Sequence, residues 1–129
     1  MSKTMENFVS FELAKKLKDK GFELKEPYAM YNELGVFHAL YSSAGIENYY
    51  DYDYFDEYDY VCPTISQVLK WLRKDKKMHI ITPATFDEGY WWELRDFNRE
   101  ISEYGDVEYT SYEQATLAGI EYVLDNLIK

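Results

Sequence analysis

The residues best suited to chemistry in this chain are carboxylates and tyrosines crowded into one segment, Glu47 to Tyr60, called the acidic tract below. Its fourteen residues include six Tyr, one Phe and six acids, and no Lys or Arg. The longer stretch from Glu26 to Leu69 holds eight acids and no Lys or Arg, while the whole chain has a net charge of −10. Clustered carboxylates can hold a hard cation, and carboxylates beside tyrosines can bind a basic partner.

The spacing of the acids does not match a known calcium loop. Phe55 stands where an EF-hand that begins at Asp51 needs its fifth-position ligand, and no glycine follows at the sixth. We therefore expect weak cation association and no specific metal site. Because the six glycines are isolated, phosphate-binding and dinucleotide-binding loops are excluded as well, and we predict no cofactor.

Two interpretations of the acidic tract remain open. Between Tyr50 and Tyr54, tyrosine and aspartate alternate, which in an extended chain puts them on opposite faces. In the first interpretation, the tract is an edge strand or a surface loop, and its acids discourage edge-to-edge pairing with other chains. In the second, its tyrosines contact a basic protein that its acids attract. A narrower version of the second is that the acids mimic the phosphates of DNA. The predicted partner-binding residues are Tyr50, Asp51, Tyr52, Asp53, Tyr54, Asp56, Glu57, Tyr58 and Asp59.

A second candidate site is a small pocket near His79, Tyr90 and Trp91. Trp91 and Trp92 are neighbours on a predicted strand, so their side chains point to opposite faces. One of them belongs to the core, and the other either lines a pocket on the helix-free face or simply covers the sheet. The single cysteine, Cys62, precedes a predicted helix, where a dipole can lower a thiol pKa; without an assignable partner we interpret it as a buried packing residue.

A basic stripe forms the third candidate. Its residues follow i, i+3, i+4, i+7 spacing and are Lys70, Arg73, Lys74 and Lys77. Three interpretations of the stripe remain open. It is a solvated face that complements the helix dipole, or it is a site that binds phosphates or an acidic partner. In the third interpretation it contacts the acidic tract, either within the fold or across a homo-oligomer interface.

Capping signals predict three helices. The first begins after Ser10 and ends at Gly21, the second begins after Thr64 in a capping box, and the third begins after Ser111 in another. The apolar residues of each fall on one face.

Two predicted hairpins separate these helices. The first pairs Tyr28–Tyr31 with Val36–Tyr41, and the second pairs Met78–Thr82 with Gly89–Arg95. The predicted fold is a single α+β domain over 1–129, ordered α-ββ-α-ββ-α, with one antiparallel sheet of about four strands and the helices on one face. We expect residues 42–60 to be an insert and residues 1–7 to be disordered.

The composition limits the class of protein. At 129 residues with 47% hydrophobic side chains, the chain has material for one core. One cysteine excludes an intrachain disulfide and, with the absence of an apolar leader, predicts a cytoplasmic, non-membrane protein. Because nonspecific nucleic-acid binding depends on Lys and Arg, we expect no direct nucleic-acid partner.

Several segments carry a family likeness: Phe8 to Leu17, Pro63 to Arg73, Gly89 to Trp92 and Ser111 to Ile128. With them the chain resembles a family of small uncharacterised proteins from gut Bacteroidales and their phages or mobile elements. The resemblance implies a compact intracellular α+β protein and carries over no functional residues. It is weakest around residues 42–60.

These patterns lead to three functional hypotheses. The first is a non-enzymatic intracellular interaction protein that presents the acidic tract to a basic protein. The second is a small-ligand-binding or catalytic domain that uses the pocket. The third is a structural homo-oligomer in which tract meets stripe; it predicts a mass in solution that falls towards the monomer as salt rises.

Overall fold

The computed structural model describes residues 8–25, 27–39, 58–105 and 107–128. Within these ranges it has three helices and two three-stranded antiparallel sheets, and the chain divides into two compact units, Met1–Thr64 and Ile65–Lys129. The predicted α+β class is confirmed, whereas the single four-stranded sheet is wrong. The single domain over 1–129 stays a prediction. No helix among the described residues is long and apolar enough to cross a bilayer.

The first unit opens with helix α1, Phe11–Asp19. The Ser10 hydroxyl accepts the N–H of Leu13 at 3.2 Å, and Gly21 takes a φ of 87° just after the helix, as glycine at this position commonly does. Both predicted ends are thus confirmed. The helix buries Leu13, Ala14 and Leu17.

The sheet of the first unit has strand β1 (Ala29–Tyr31) at its centre, between β2 (Phe37–Ala39) and β3 (Tyr60–Val61). The β1–β2 pair is the predicted first hairpin. Strand β3 is not among the four predicted hairpin strands, because two residues have no periodicity to detect; an edge strand was only one of the interpretations of the tract that ends at Tyr60. Since β2 and β3 are both antiparallel to β1, they run in the same direction, and residues 40–59 connect them.

The second unit contains α2 (Ile65–Asp75), β4 (Met78–Ile81), β5 (Glu93–Asp96), β6 (Ile101–Tyr104) and α3 (Tyr112–Asn126). Helix α2 buries Ile65, Val68 and Leu72. Helix α3 begins where the Ser111 hydroxyl accepts the N–H of Gln114 at 3.1 Å, as its capping sequence predicts.

The sheet of the second unit is a meander in the order β4-β5-β6. The β4–β5 pairing confirms the second hairpin, although β5 begins only at Glu93, because Tyr90 forms isolated bridges with Ala84 and Tyr109 instead. Strand β6 lies in a segment that the sequence predicted as loop. Strands β3 and β6 therefore add two strands to the four predicted, and the six strands form two sheets of three.

Candidate interaction surfaces

Most of the acidic tract lies outside the described residues. Of the predicted partner-binding residues, 50–57 fall there, and Tyr58 and Asp59 are described. Tyr58 exposes 62% of its surface, whereas Asp59 is half-buried and its backbone carbonyl accepts a hydrogen bond from Lys18 Nζ at 3.0 Å. Tyr60 packs its ring edge-on against Phe11, with centroids 5.5 Å apart. At the end of the tract, Tyr58 is thus exposed, whereas Tyr60 packs against the first helix.

Exposed apolar side chains lie at the same end of this sheet. The turn between β1 and β2 follows Tyr31, and Tyr58 precedes Tyr60, which is the register partner of Tyr31. In that turn Leu34 is 87% exposed and Val36 is 49% exposed. We call the three residues Leu34, Val36 and Tyr58 the sheet-end surface.

The turn that carries Leu34 and Val36 is held firmly. The Asn32 side-chain oxygen accepts the N–H groups of both residues, at 2.9 and 3.0 Å. Gly35 has a φ of 87°, and a Cβ there would stand 2.9 Å from a ring carbon of Phe11, so only glycine fits without rearrangement. The backbone that carries the two exposed side chains is thus fixed before any partner arrives.

An aromatic cluster lies beside the turn between β1 and β2, with Phe11 close to Gly35. The four pairs of ring centroids lie 5.3 to 5.8 Å apart, three edge-to-face and one tilted, arrangements that favour aromatic attraction. Its members are Phe8, Phe11, Tyr31, Phe37 and Tyr60. Tyr31 and Tyr60 therefore pack within the unit, while Tyr58 is exposed.

Cys62 is fully buried beside this cluster. Its thiol donates to the Val9 carbonyl at 3.5 Å, and the Tyr31 hydroxyl donates to the same carbonyl at 2.7 Å. Burial raises the pKa of Cys62 to about 12, outweighing its hydrogen bonds with Tyr31 and Val9, and burial also raises the pKa of Tyr31. A thiol with so high a pKa is a packing group and not an activated nucleophile.

The structure does not bring the three predicted pocket residues together on one face of the sheet. His79 pairs with Arg95, and Trp91 packs edge-on against Tyr104 of β6, 5.9 Å between centroids, on that same face. Arg95 follows Trp91 by four residues of extended chain, so Trp91 lies about 13 Å along the strand from the residue that pairs with His79. Tyr90 instead meets Tyr112 at the start of α3, on the helix-covered face.

Trp92 is the core member of the tryptophan pair. It is 6% exposed and its ring lies 4.9 Å from that of Tyr122 in α3. The predicted division of the two tryptophans between opposite faces therefore holds, with Trp91 as the half-buried one.

The basic stripe follows the exposed face of α2. Lys70, Arg73 and Lys74 are exposed within the helix, and Lys77 lies two residues past its end with a φ of 59°. The backbone carbonyl of Lys77 accepts the N–H of Phe97 at 3.0 Å, which fixes this position. Among the described residues, none of the four side chains forms an ion pair.

A polar network at the β5–β6 turn escaped the sequence analysis. Asp96, only 2% exposed, accepts the N–H groups of Asn98 and Arg99 at 3.0 and 3.2 Å and pairs with Arg99 Nε at 2.6 Å. Arg99 also reaches Glu103 at 2.7 Å, and Glu103 accepts the hydroxyl of Tyr122 at 2.6 Å. The spacing Asp-x-x-Arg-x-x-x-Glu was visible in the sequence, but only the turn brings these groups together. All four are satisfied by one another, as expected of a structural network.

This network predicts a loss of stability in acid. Burial alone would raise the pKa of Asp96, but hydrogen bonds from the Arg99 side chain and from two backbone N–H groups outweigh burial and lower it. The pKa of Glu103 is also lowered, first by its hydrogen bond from Tyr122 and then by that from Arg99. Their stabilisation is complete above the ordinary values of 3.8 and 4.5 and is lost as pH falls through the lower folded values. Denaturant unfolding at a series of pH values should show a shallower acid slope for Asp96→Asn/Glu103→Gln than for wild type. Identical slopes would contradict the assignment.

The described residues contain no group of three or more His, Cys, Asp or Glu placed to hold a metal ion. Of the acids considered as calcium ligands, Asp51, Asp53, Asp56 and Glu57 fall outside those residues. No protein-family model, curated protein or solved structure matches this chain significantly. The family resemblance inferred from the sequence thus stays a prediction.

Proposed function

We propose that this protein is a non-enzymatic interaction protein that binds a basic protein through its acidic tract and the adjoining sheet-end surface. The observation that carries the proposal is the position of Tyr58. It belongs to the acidic tract, is 62% exposed, and stands at the same end of the sheet as exposed Leu34 and Val36. The described end of the acidic tract therefore lies at the same end of the sheet as two exposed aliphatic side chains.

The two parts have complementary tasks in binding. The carboxylates of the tract steer a basic partner towards the surface and favour correct pairing. Tyrosine and aliphatic side chains that exclude water supply most of the binding energy, and tyrosine loses little conformational entropy because it has few rotatable bonds. Because hydrogen bonds to Asn32 already hold the backbone of the β1–β2 turn, binding has little backbone ordering cost there.

The small-ligand hypothesis has weaker support. Tyr90 lies on the opposite face of the sheet from His79 and Trp91, which does not favour a pocket on the helix-free face that all three residues line. Cys62 is not an activated nucleophile either, because burial raises the pKa of its thiol.

Capture of partners by the immobilised protein tests the proposal. We expect the wild type to retain basic proteins that elute as salt rises, and Tyr50→Ser/Tyr52→Ser/Tyr54→Ser to retain far fewer. A matched control replaces three exposed aromatic residues elsewhere, Tyr28, Phe97 and Tyr112, with serine. Equal capture by the tract variant and the wild type would count against the tract.

A further inference from the structure

The helix-free face of the second sheet carries a pair of aromatic rings at the surface. Trp91 and Tyr104 meet edge-on, with ring centroids 5.9 Å apart and an angle of 83° between the ring planes. Trp91 is half-buried and Tyr104 is 69% exposed, so each ring keeps part of its surface open to a ligand. The core of the second unit lies on the opposite face, where Ile80 and Leu94 are buried.

The strand register places a carboxylate beside these two rings. Glu93 lies directly opposite Tyr104 on the neighbouring strand and follows Trp91 by two residues, so the three side chains share one face of the sheet. Directly opposed residues of an antiparallel pair have Cβ atoms about 4.5–5.5 Å apart. The Glu93 carboxylate is therefore within reach of a cation that contacts the Tyr104 ring.

Two aromatic rings and a carboxylate favour a cationic ligand. The face of an aromatic ring is negative, and it attracts a cation that lies within about 6 Å of the ring centroid. Aromatic cages that bind quaternary ammonium groups use several such faces around one cation. An edge-on pair is also a common packing contact in protein cores, but this pair lies at the surface and beside a carboxylate.

The hydrogen bonding of the Glu93 carboxylate selects the kind of cation. Its Oε2 accepts a hydrogen bond from Arg95 Nε at 3.1 Å, so part of its accepting capacity is already used. A lysine ammonium has three N–H donors, which lose water on binding and then need new acceptors. A trimethylammonium group keeps the positive charge and has no N–H donor. The site therefore suits the methylated group better than the free ammonium.

The position of the site on the sheet favours a protein as the source of this group. Tyr104 belongs to β6, an edge strand in the order β4-β5-β6, and edge strands can accept an extended peptide through main-chain hydrogen bonds. A free small molecule usually buries about 70–90% of its surface in its site, which a corner with a largely exposed tyrosine does not provide.

We propose that Trp91, Glu93 and Tyr104 bind the trimethylammonium group of a methylated lysine side chain on a protein partner. The site lies wholly in the second unit and does not involve the acidic tract, so the inference goes beyond the proposed function. It also differs from the pocket predicted from the sequence, since it uses neither His79 nor Tyr90.

Titration of the full chain with three short peptides tests the inference, with the indole N–H signal of Trp91 in NMR spectra as the readout. Each peptide has Gly and Ser around one central residue, which is trimethyllysine, lysine or a neutral analogue with a tert-butyl group in place of the trimethylammonium group. We expect the trimethyllysine peptide to bind with a dissociation constant of about 1 mM. The other two should bind at least about fivefold more weakly. Because the first two peptides carry the same charge, attraction to the acidic chain cannot explain a difference between them.

Substitutions within the site separate its parts. Tyr104→Ala removes one ring and Glu93→Gln removes the negative charge, and each should weaken binding of the trimethyllysine peptide about threefold or more. Arg95→Ala removes a competing cation and frees the carboxylate, so it should strengthen binding. The matched control is Tyr112→Ala, which truncates the exposed ring of another edge-on pair, Tyr90 and Tyr112, and should leave binding unchanged. The same NMR spectra show that each variant is folded.

Several results would overturn the inference. They are a Trp91 signal that no peptide shifts, equal binding of the trimethyllysine peptide and either matched peptide, and equal losses for Tyr112→Ala and Tyr104→Ala. Choline carries the trimethylammonium group as a free small molecule and should bind more weakly than the peptide. If choline bound as tightly, a protein side chain would be ruled out as the source. None of these results depends on capture of basic proteins by the acidic tract, which tests the proposed function separately.

Discussion

Replacing Trp92 with alanine should lower the free energy of unfolding by about 3–5 kcal/mol, the usual cost of truncating a buried tryptophan. Trp92 is 6% exposed, and its ring packs against Tyr122 of α3 and close to the backbone at Gly105. The cavity would open between the sheet and α3, where rigid elements limit collapse. Denaturant unfolding followed by circular dichroism measures the change.

The neighbouring tryptophan provides the matched control. Trp91 lies on the other face, half-buried, with its ring edge-on to Tyr104, which is 69% exposed. We expect Trp91→Ala to cost about 1 kcal/mol, near the middle of the range for point substitutions. Equal losses for the two variants would mean that Trp92 is not the core residue of the pair.

Gly105→Ala should destabilise the protein by about 2 kcal/mol, as overpacking of a filled core does. A Cβ at Gly105 would stand 2.7 Å from Cε2 and 3.1 Å from Cδ1 of Trp92, and a buried indole ring has little freedom to move away. Gly119, where the nearest atoms of Ile80 and Trp92 are 3.1 Å away, should tolerate alanine better, because a shift of a few tenths of an ångström suffices.

The two substitutions should not be additive. In a Trp92→Ala background the indole is gone, and Gly105→Ala should then cost almost nothing. A double-mutant cycle would therefore show a coupling of about 2 kcal/mol, within the range found for residues in direct contact. Additive losses would show that the strain of Gly105→Ala comes from the backbone and not from the ring.

The helices and both hairpin pairings could be predicted from the sequence because their signals are local. Ser10 and Ser111 stand directly before apolar stripes, and Gly21 directly after one, so capping and periodicity agree. Strands β3 and β6 lack such signals. Tyr60–Val61 is two residues long, and Ile101–Tyr104 is mostly exposed, so each depends on pairing with a distant strand.

The candidate sites divide in the same way. The stripe depends only on helical spacing: Lys70, Arg73 and Lys74 are exposed on α2, whereas Lys77 lies past the end of the helix. The proposed pocket depended on which face each residue of an extended segment occupies, and Tyr90 takes the helix side through its contact with Tyr112. The Asp96 network and the sheet-end surface need two turns that bring side chains together, information that no periodic pattern contains.

Calorimetric titration of the protein with a synthetic lysine-rich peptide tests the central claim most directly. If the acidic tract is the binding surface, Asp51→Asn/Asp53→Asn/Asp56→Asn should weaken peptide binding about tenfold or more. Glu23→Gln/Asp87→Asn/Glu113→Gln, which removes three exposed acids elsewhere, should bind the peptide almost as the wild type does. Equal weakening by both variants would show that the peptide responds only to net charge, and would contradict a binding role for the tract.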